Sequence, residues 1–526
     1  MPWRSATGCG SERQGGEDRG RLRAGVPDRN MRKLQGGGAM FTPLDKGEVE
    51  RIHRMSLEIL DRAGIEVKSE KALSLFKGRG ARVDCEGSRY LVRIPPSLVE
   101  DALGEVPRSY VLYGRKHGCE VRFERGNPPL FGPSGVPCII YDLETGVRRR
   151  AGLKDFVSLI KLFDGLENVD FVTTPCTFDD VPSEVTEVST FFHLVNTTQK
   201  PFDMDFSGQT GFKDVLSMVD LLKETVFEGR PFVSFGFCPV ISPLRLDTVP
   251  TDQLIEAARA GIPVAPITMV QPGLSAPATL AGTLVVMNAE ILALLVLAQA
   301  ARPGTPFLYG TIPGTTNFAT GRMLTASPEL PLLNAAATQL AGHCGLPNWA
   351  TAGRTDANLL DIQAGYEHCF AIPWVVLSGA TYISAIGGFL ESVSALSFEK
   401  FVIDDEVVGM TRRVLRGLDT DPEHCAVELV SSMGPGANFL AEDHTIDHMR
   451  REFFRPSVSE TSDWEDWNQR GRPTALQRAR QKAKRIIETH SAPPLPPQVI
   501  KQVRDLFPGI VIDLDQAGTR QTGLSD

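Results

Sequence analysis

Short apolar strands that recur about every thirty residues, the length of one βα unit, predict an α/β chain. The predicted architecture is a (β/α)8 TIM barrel with an N-terminal α/β lead-in and a C-terminal helical extension. Three observations carry this. Helix-like and strand-like runs alternate from residue 153 onward. The stretch before them is mixed and does not repeat. The stretch after them is cationic and helical, and is broken by prolines.

Residues 1–40 are rich in Gly and Arg, lack a hydrophobic run, and read as a disordered extension in which Met31 or Met40 could be the true start. Residues 41–150 form the lead-in. Val49, Ile52, Met55, Ile59 and Leu60 give a helical stripe over 45–63 that ends at Gly64. A second helix is expected over 97–104 behind Pro95-Pro96. Ile139-Ile140-Tyr141, Glu144-Thr145-Gly146 and Val147-Arg148 read as a hairpin. Residues 151–450 form the barrel core. Helix-like 153–166, 183–196, 211–226 and 251–260 lead into strands at 169–172, 201–204, 232–235 and 262–265. Phe307-Leu308-Tyr309, the segment around Trp349 and part of 375–386 supply three more. An eighth strand has no obvious place, so a doubly wound sheet stays open. Residues 451–510 are the helical extension, with helices over 473–490 and 498–506, and 511–526 a flexible tail.

The chain has 526 residues, 42% hydrophobic and 23% charged, and a net charge of −9. That is the composition of a soluble globular protein. An acidic balance argues against nucleic-acid partners, which need a basic face. The nine cysteines show no Cys-x-x-Cys or disulfide-like spacing, which fits a reducing cytoplasm. His-Cys occurs at 343–344, 368–369 and 424–425, but adjacent helical residues diverge, so buried cysteine is preferred to a zinc site and no metal is expected. Residues 279–301 are very apolar yet contain Asn288, Glu290 and Gln299. They read as a helix buried in the fold or covered by a second copy in a homo-oligomer, not as a membrane span.

Barrel enzymes build their sites where strands end at the C-terminal mouth. That rule selects Tyr309-Gly310, Phe237-Cys238, Met269 to Gly273, and above all Trp349 through Glu367. With a helix opening at Thr355 or Asp356, Gln363 and Glu367 share a face, Tyr366 pairs with Phe370, and Asp356 and Asp361 sit near the helix start. Two carboxylates, an amide and the aromatic rings of Tyr309, Trp349, Tyr366 and Trp374 could together surround a methylated cation. Each also has a plainer explanation: Asp356 as a helix cap, Asp361 and Glu367 on a solvated helix face, and the aromatics in the core.

The same stretch resembles the trimethylamine methyltransferase (MttB-like) family. The matching features are Leu60-Asp61-Arg62-Ala63-Gly64-Ile65-Glu66-Val67, Arg93-Ile94-Pro95, Pro107-Arg108-Ser109 and Asp142-Leu143-Glu144-Thr145-Gly146. Gly345-Leu346-Pro347, Thr355-Asp356, Asp361 to Glu367, Phe453-Phe454-Arg455-Pro456 and Trp467 complete them. The resemblance implies a barrel enzyme that moves a methyl group to the Co(I) corrinoid of a separate carrier protein. The founding members carry pyrrolysine at a position that falls at or near Thr351. Ordinary residues stand there in this chain, as in the pyrrolysine-lacking, glycine betaine methyltransferase-like branch.

On this reading the donor is a quaternary amine, betaine- or carnitine-like, whose leaving group needs no proton. Asp356 and Glu367 are the best catalytic candidates, acting by positioning. Tyr309, Trp349, Thr351, Arg354, Asp356, Asp361, Gln363, Tyr366 and Glu367 are the substrate-binding candidates, with Arg354 suited to a substrate carboxylate. The chain has no Asp-x-His-x-x-Gly and no G-x-G-x-x-G after a strand, so the cobalamin is expected on the partner protein. A methyltransferase for tertiary amines or other donors, a non-catalytic quaternary-ammonium-binding protein and a zinc-thiolate methyltransferase are the alternatives.

Overall fold

The computed structural model describes residues 41–87, 89–206 and 210–516. The expected disordered extension over 1–40 and residues 517–526 of the expected 511–526 tail lie outside the described residues; the start of that tail is packed, with Val511 buried and its carbonyl 2.9 Å from His193 Nε2.

Seven strands form one sheet in the order Leu130–Gly132, Tyr382–Ser384, Asn348–Thr351, Tyr309–Thr311, Val264–Thr268, Val233–Phe237 and Phe202–Asp205, and every pair is parallel. The predicted strand at 169–172 joins the two edges. Asp170 N–H donates to the Phe131 carbonyl at 2.8 Å, Val172 N–H to the Pro201 carbonyl at 3.1 Å, and Asp203 N–H to the Val172 carbonyl at 2.8 Å. The sheet therefore closes on itself as a barrel of eight segments. The segment with no place in the sequence is Leu130–Gly132. It is only three residues long, flanked by Pro128-Pro129 and Pro133, and ends in a glycine. A Cβ on Gly132 would sit 2.3 Å from the Phe171 carbonyl oxygen, so the closure tolerates no side chain there.

Strand alternation sorts the residues into two cores. Phe202, Met204, Val233, Phe235, Val264, Tyr309, Ala350 and Ile383 point outward and merge with the helix layer. Phe171, Ala265, Ile267, Leu308, Trp349 and Tyr382 point inward and form a separate cluster with Tyr110, Leu112, Val121 and Phe123. Those last four belong to a hairpin, Ser109–Tyr113 with Glu120–Glu124, from the lead-in. Tyr113 N–H donates to the Pro231 carbonyl at 2.9 Å, just ahead of strand Val233–Phe237. The hairpin thus stoppers the N-terminal end of the barrel and leaves the C-terminal mouth for the site.

The apolar run becomes helix Leu280–Ala301, in which residues 283–299 are all buried. Helices Lys46–Arg62, Glu70–Gly78 and Pro96–Glu105 of the lead-in pack on it. Of the two covers the sequence left open, the chain itself supplies this one. The helix is long and apolar enough to cross a membrane by length and composition only, and it is a core helix here. Its polar interruptions are bonded within the chain, with Asn288 Nδ2 alone of them left without a partner among the described residues. Tyr309 OH donates to Asn288 Oδ1 at 2.9 Å, Leu244 N–H to Glu290 Oε1 at 2.9 Å, and Gln299 Nε2 to the Thr305 carbonyl at 2.9 Å.

The C-terminal part is helical, as expected. Helix Ala475–Thr489 starts in a capping box at Thr474 and packs on helices Leu153–Gly165 and Phe398–Arg416. Arg480 Nε bonds the buried Glu399 at 2.7 Å.

Candidate active site

The residues singled out from sequence fall in three places. The first is the loop that leaves strand Asn348–Thr351. Gly353 has φ of 70°, and a Cβ there would lie 2.2 Å from the Ala385 carbonyl oxygen, so only glycine fits. Its own carbonyl accepts from Lys400 Nζ at 3.0 Å and lies 3.0 Å from His368 Nδ1, while Lys400 also bonds Asp404 Oδ1 at 2.7 Å. All three side chains are buried, and burial lowers His368 to about 4, which keeps the ring neutral. This network fixes the backbone one residue before Arg354. Sequence reasoning missed it. Its only trace is a Lys400/Asp404 i,i+4 pair, hidden in a helix that carries many other charges.

Arg354 is 2% exposed, and its guanidinium lies 5.5 Å from the Phe389 ring centre. Among the described residues it has no hydrogen-bond acceptor and no carboxylate partner, and its Nε is sealed from solvent unbonded. Burial lowers it to about 10, so it remains a cation at neutral pH. A buried, unpaired cation costs several kcal/mol. The arrangement is suited to receiving an anion.

The second place is the junction of 355–370. The helix starts at Ile362 with Asp361 as its cap, six residues later than the sequence suggested, because Asp361 accepts from the Gln363 N–H at 2.9 Å. Asp356 is saturated: it accepts from the N–H and Oγ1 of Thr325 at 2.8 and 3.1 Å, the Ala326 N–H at 3.2 Å and Ser392 Oγ at 2.7 Å. Glu367 accepts from Thr355 Oγ1 at 2.5 Å, the Asp356 N–H at 2.9 Å and Gln363 Nε2 at 2.9 Å. Asp356, Gln363, Tyr366 and Glu367 do line one hollow, of about 390 Å³, with Phe370 and 324–328. It is a shallow outer groove: Tyr366 is 59% exposed and Ile362 86%. The polar groups here hold loops together, and the carboxylates have little capacity left for a ligand.

The third place is the barrel lumen. Trp349 lies inside, 1% exposed, with its ring edge-to-face on Tyr382 at 5.3 Å. The expected common hollow of Trp349, Asp356 and Tyr366 is therefore not formed. Tyr309 faces the opposite way, toward Asn288 in the helix layer, and Thr351 is tied to Asn334, its N–H donating to Oδ1 at 2.8 Å.

Sequence reasoning passed over Asp203 and Asp205. They alternate with Phe202 and Met204 on strand Phe202–Asp205, so both carboxylates take the inward face. That period-two pattern was the available signal. Ser234 Oγ donates to Asp203 Oδ1, while Asp203 Oδ2 and Asp205 Oδ2 have no partner among the described residues. Desolvation and the neighbouring Asp205 push Asp203 well above the carboxylate range, and desolvation pushes Asp205 up to about 7. Tyr110, Tyr382 and Cys238 all sense these carboxylates. Cys238 is open to solvent, yet burial first and Asp205 second push its thiol up to about 12. A side chain that solvent reaches but protein surrounds lines a recess, and the lumen is that recess.

One set of candidate metal ligands occurs among the described residues, Asp419, His424 and Glu452, far along the chain from the barrel mouth. Arg451 and Arg413 already neutralise Asp419 and Glu452. Of the His-Cys pairs, only Cys344 approaches a histidine elsewhere in the chain, 3.9 Å from His53 Nδ1 in the core.

The sequence matches the trimethylamine methyltransferase (MTTB) family over residues 12–507. It is 32% identical over 464 residues to the trimethylamine methyltransferase MttB of Desulfitobacterium hafniense, covering 87% of this chain and 92% of that one. It is 31% identical over 464 residues to the glycine betaine methyltransferase of the same species, covering 87% and 95%. The MttB of Methanosarcina thermophila is 31% identical over 467 residues, covering 87% and 95%. The chain therefore belongs to the trimethylamine methyltransferase family and is a methyltransferase acting on methylated amines.

Proposed function

We propose that this protein transfers a methyl group from a quaternary amine bearing a carboxylate, betaine- or carnitine-like, to the reduced corrinoid of a partner protein. The observation that carries the choice of donor is Arg354, a buried guanidinium without an acceptor among the described residues. Trimethylamine offers nothing to such a group; a betaine offers a carboxylate with matching bidentate geometry. Likeness to a glycine betaine methyltransferase supports the same choice.

The chemistry asks little acid–base work of the protein. One N–CH3 bond breaks and its carbon passes to the reduced corrinoid, whose electron pair makes the new bond. Nitrogen keeps the pair of the broken bond and leaves as a neutral tertiary amine, so no proton is required. The chain must bind the zwitterion, aim one methyl at the mouth and exclude water. His368 is bonded into the network beneath Gly353, which supports a corrinoid that keeps its own ligands on a carrier. The eight described cysteines are free thiols, which supports a cytoplasmic setting.

The test supplies cob(I)alamin or a reduced corrinoid protein with glycine betaine, carnitine, trimethylamine and dimethylglycine. Methylcobalamin is expected from the first pair. Methylation from the tertiary amines alone would overturn the choice of donor.

A further inference from the structure

We propose that Asp203 and Asp205, facing each other across the bare Cα of Gly236, form the subsite that receives the quaternary ammonium head. The proposal rests on the functional reading above and adds the place and the means of cation recognition.

Four observations converge. The Asp203 carboxylate is 1% exposed and keeps one oxygen unpartnered among the described residues, as does Asp205. The carboxylates converge on one point: a Cβ on Gly236 would lie 2.2 Å from Asp205 Oδ1 and 2.6 Å from Asp203 Oδ2. Gly236 therefore lets the two carboxylates come together over its bare Cα, where any side chain would force them apart. Next, buried polar atoms without partners recur on the surrounding lumen, at Tyr110 OH and Trp349 Nε1. Tyr110 and Trp349 belong to the inward-facing cluster, on the same side of the sheet as the two acids.

The fourth observation concerns charge. Among the described residues, no Lys or Arg bonds either carboxylate. The nearest ion pair on that wall, Asp170 with Arg412, is already complete. Two buried carboxylates cannot both ionise cheaply without a counter-charge. A bound ammonium supplies it, and the rings of Tyr382, Trp349 and Tyr110 supply faces for its methyl groups. Around the closed sheet, the strand of Asp203 and the strand that ends before Arg354 are four steps apart in either direction. They are opposite walls, so a zwitterion would lie across the mouth with each pole on its complement.

The test uses the full chain and tetramethylammonium, a cation with no carboxylate, with neopentane-like 3,3-dimethylbutanol as an uncharged control. Binding is followed by ligand-observed NMR at pH 8. Wild type should bind the cation, and D203N and D205N should each weaken it tenfold or more while the control is unchanged. Because either Asn could perturb the barrel, G236A provides a second route: its methyl forces the two carboxylates apart and should abolish cation binding with both acids chemically intact. Retained binding in all three variants, or no tetramethylammonium binding by wild type, would overturn the proposal. Absence of methyl transfer from betaine would overturn the functional reading and leave this subsite standing.

Discussion

The lumen and the outer groove are both acidic and aromatic, yet they differ in how their polar atoms are used. In the groove, Asp356 accepts four hydrogen bonds and Glu367 three, all from protein. In the lumen, Asp203 and Asp205 each keep an oxygen without a partner among the described residues, and Arg354 Nε on the opposite wall is likewise unpartnered. Buried groups that a fold leaves unsatisfied cost stability. The difference teaches that saturation marks architecture, and that deficit marks where a ligand completes the structure.

The strongest way to break this comparison is to remove charge from the lumen. D203N or D205N should lower kcat/KM for glycine betaine by about 100-fold or more, since stripping one member of a buried charge pair costs about 2–5 kcal/mol. Steady-state rates of methylcobalamin formation measure this, and a change under threefold would contradict it. On the opposite wall, R354M should raise KM for glycine betaine by about 30-fold or more on the same scale and leave tetramethylammonium binding intact. Equal losses for both ligands would mean that Arg354 serves the fold alone.

pH sharpens the contrast. Asp205 titrates at about 7 in the empty fold against 3.8 for the unperturbed group, with Asp203, Tyr110, Tyr382 and Cys238 facing it and no cation bonded to it among the described residues. Below about 7 a proton competes with the ammonium, so affinity should fall about tenfold per pH unit there. The empty protein should behave oppositely. A raised carboxyl gives stability that is full below 3.8 and is lost as pH climbs to about 7. D205N should flatten both profiles.

In the groove the expected effects are smaller and of another kind. D356A should lower stability by about 1–3 kcal/mol, because buried donors of Thr325 and Ala326 lose their acceptor, with KM for the amine unchanged. Smallest of all, Y366S should shift stability by about 0.5 kcal/mol or less, as for an exposed side chain. Thermal melts beside amine titrations separate the two regions.

The fold was legible where periodicity was strong. Strands at 202–205, 233–237, 264–268, 309–311 and 348–351 stand where apolar runs pointed, because a parallel barrel buries both strand faces. Leu130–Gly132 was not legible, since three residues between prolines carry no period. Asn358-Leu359-Leu360 reads like the first turn of a helix, but the capping bonds of Asp361 set the start at Ile362. Trp349 and Arg354 stood out in the sequence because they adjoin a glycine loop, and the structure buries both. Asp203 and Asp205 were overlooked because acids on a strand usually face water. Only closure of the sheet turns that face inward. Asp356 and Glu367 show the reverse error: a dense cluster of acids in the sequence proved to be joinery.

The hairpin Ser109–Tyr113/Glu120–Glu124 has one more consequence. By corking the far end of the barrel, it makes the chamber a cul-de-sac with a single doorway. With the carrier proposed above as acceptor, donor, spent amine and carrier would take turns at that threshold: the amine would enter first, the carrier would cover it, and the demethylated product would wait for the carrier to depart.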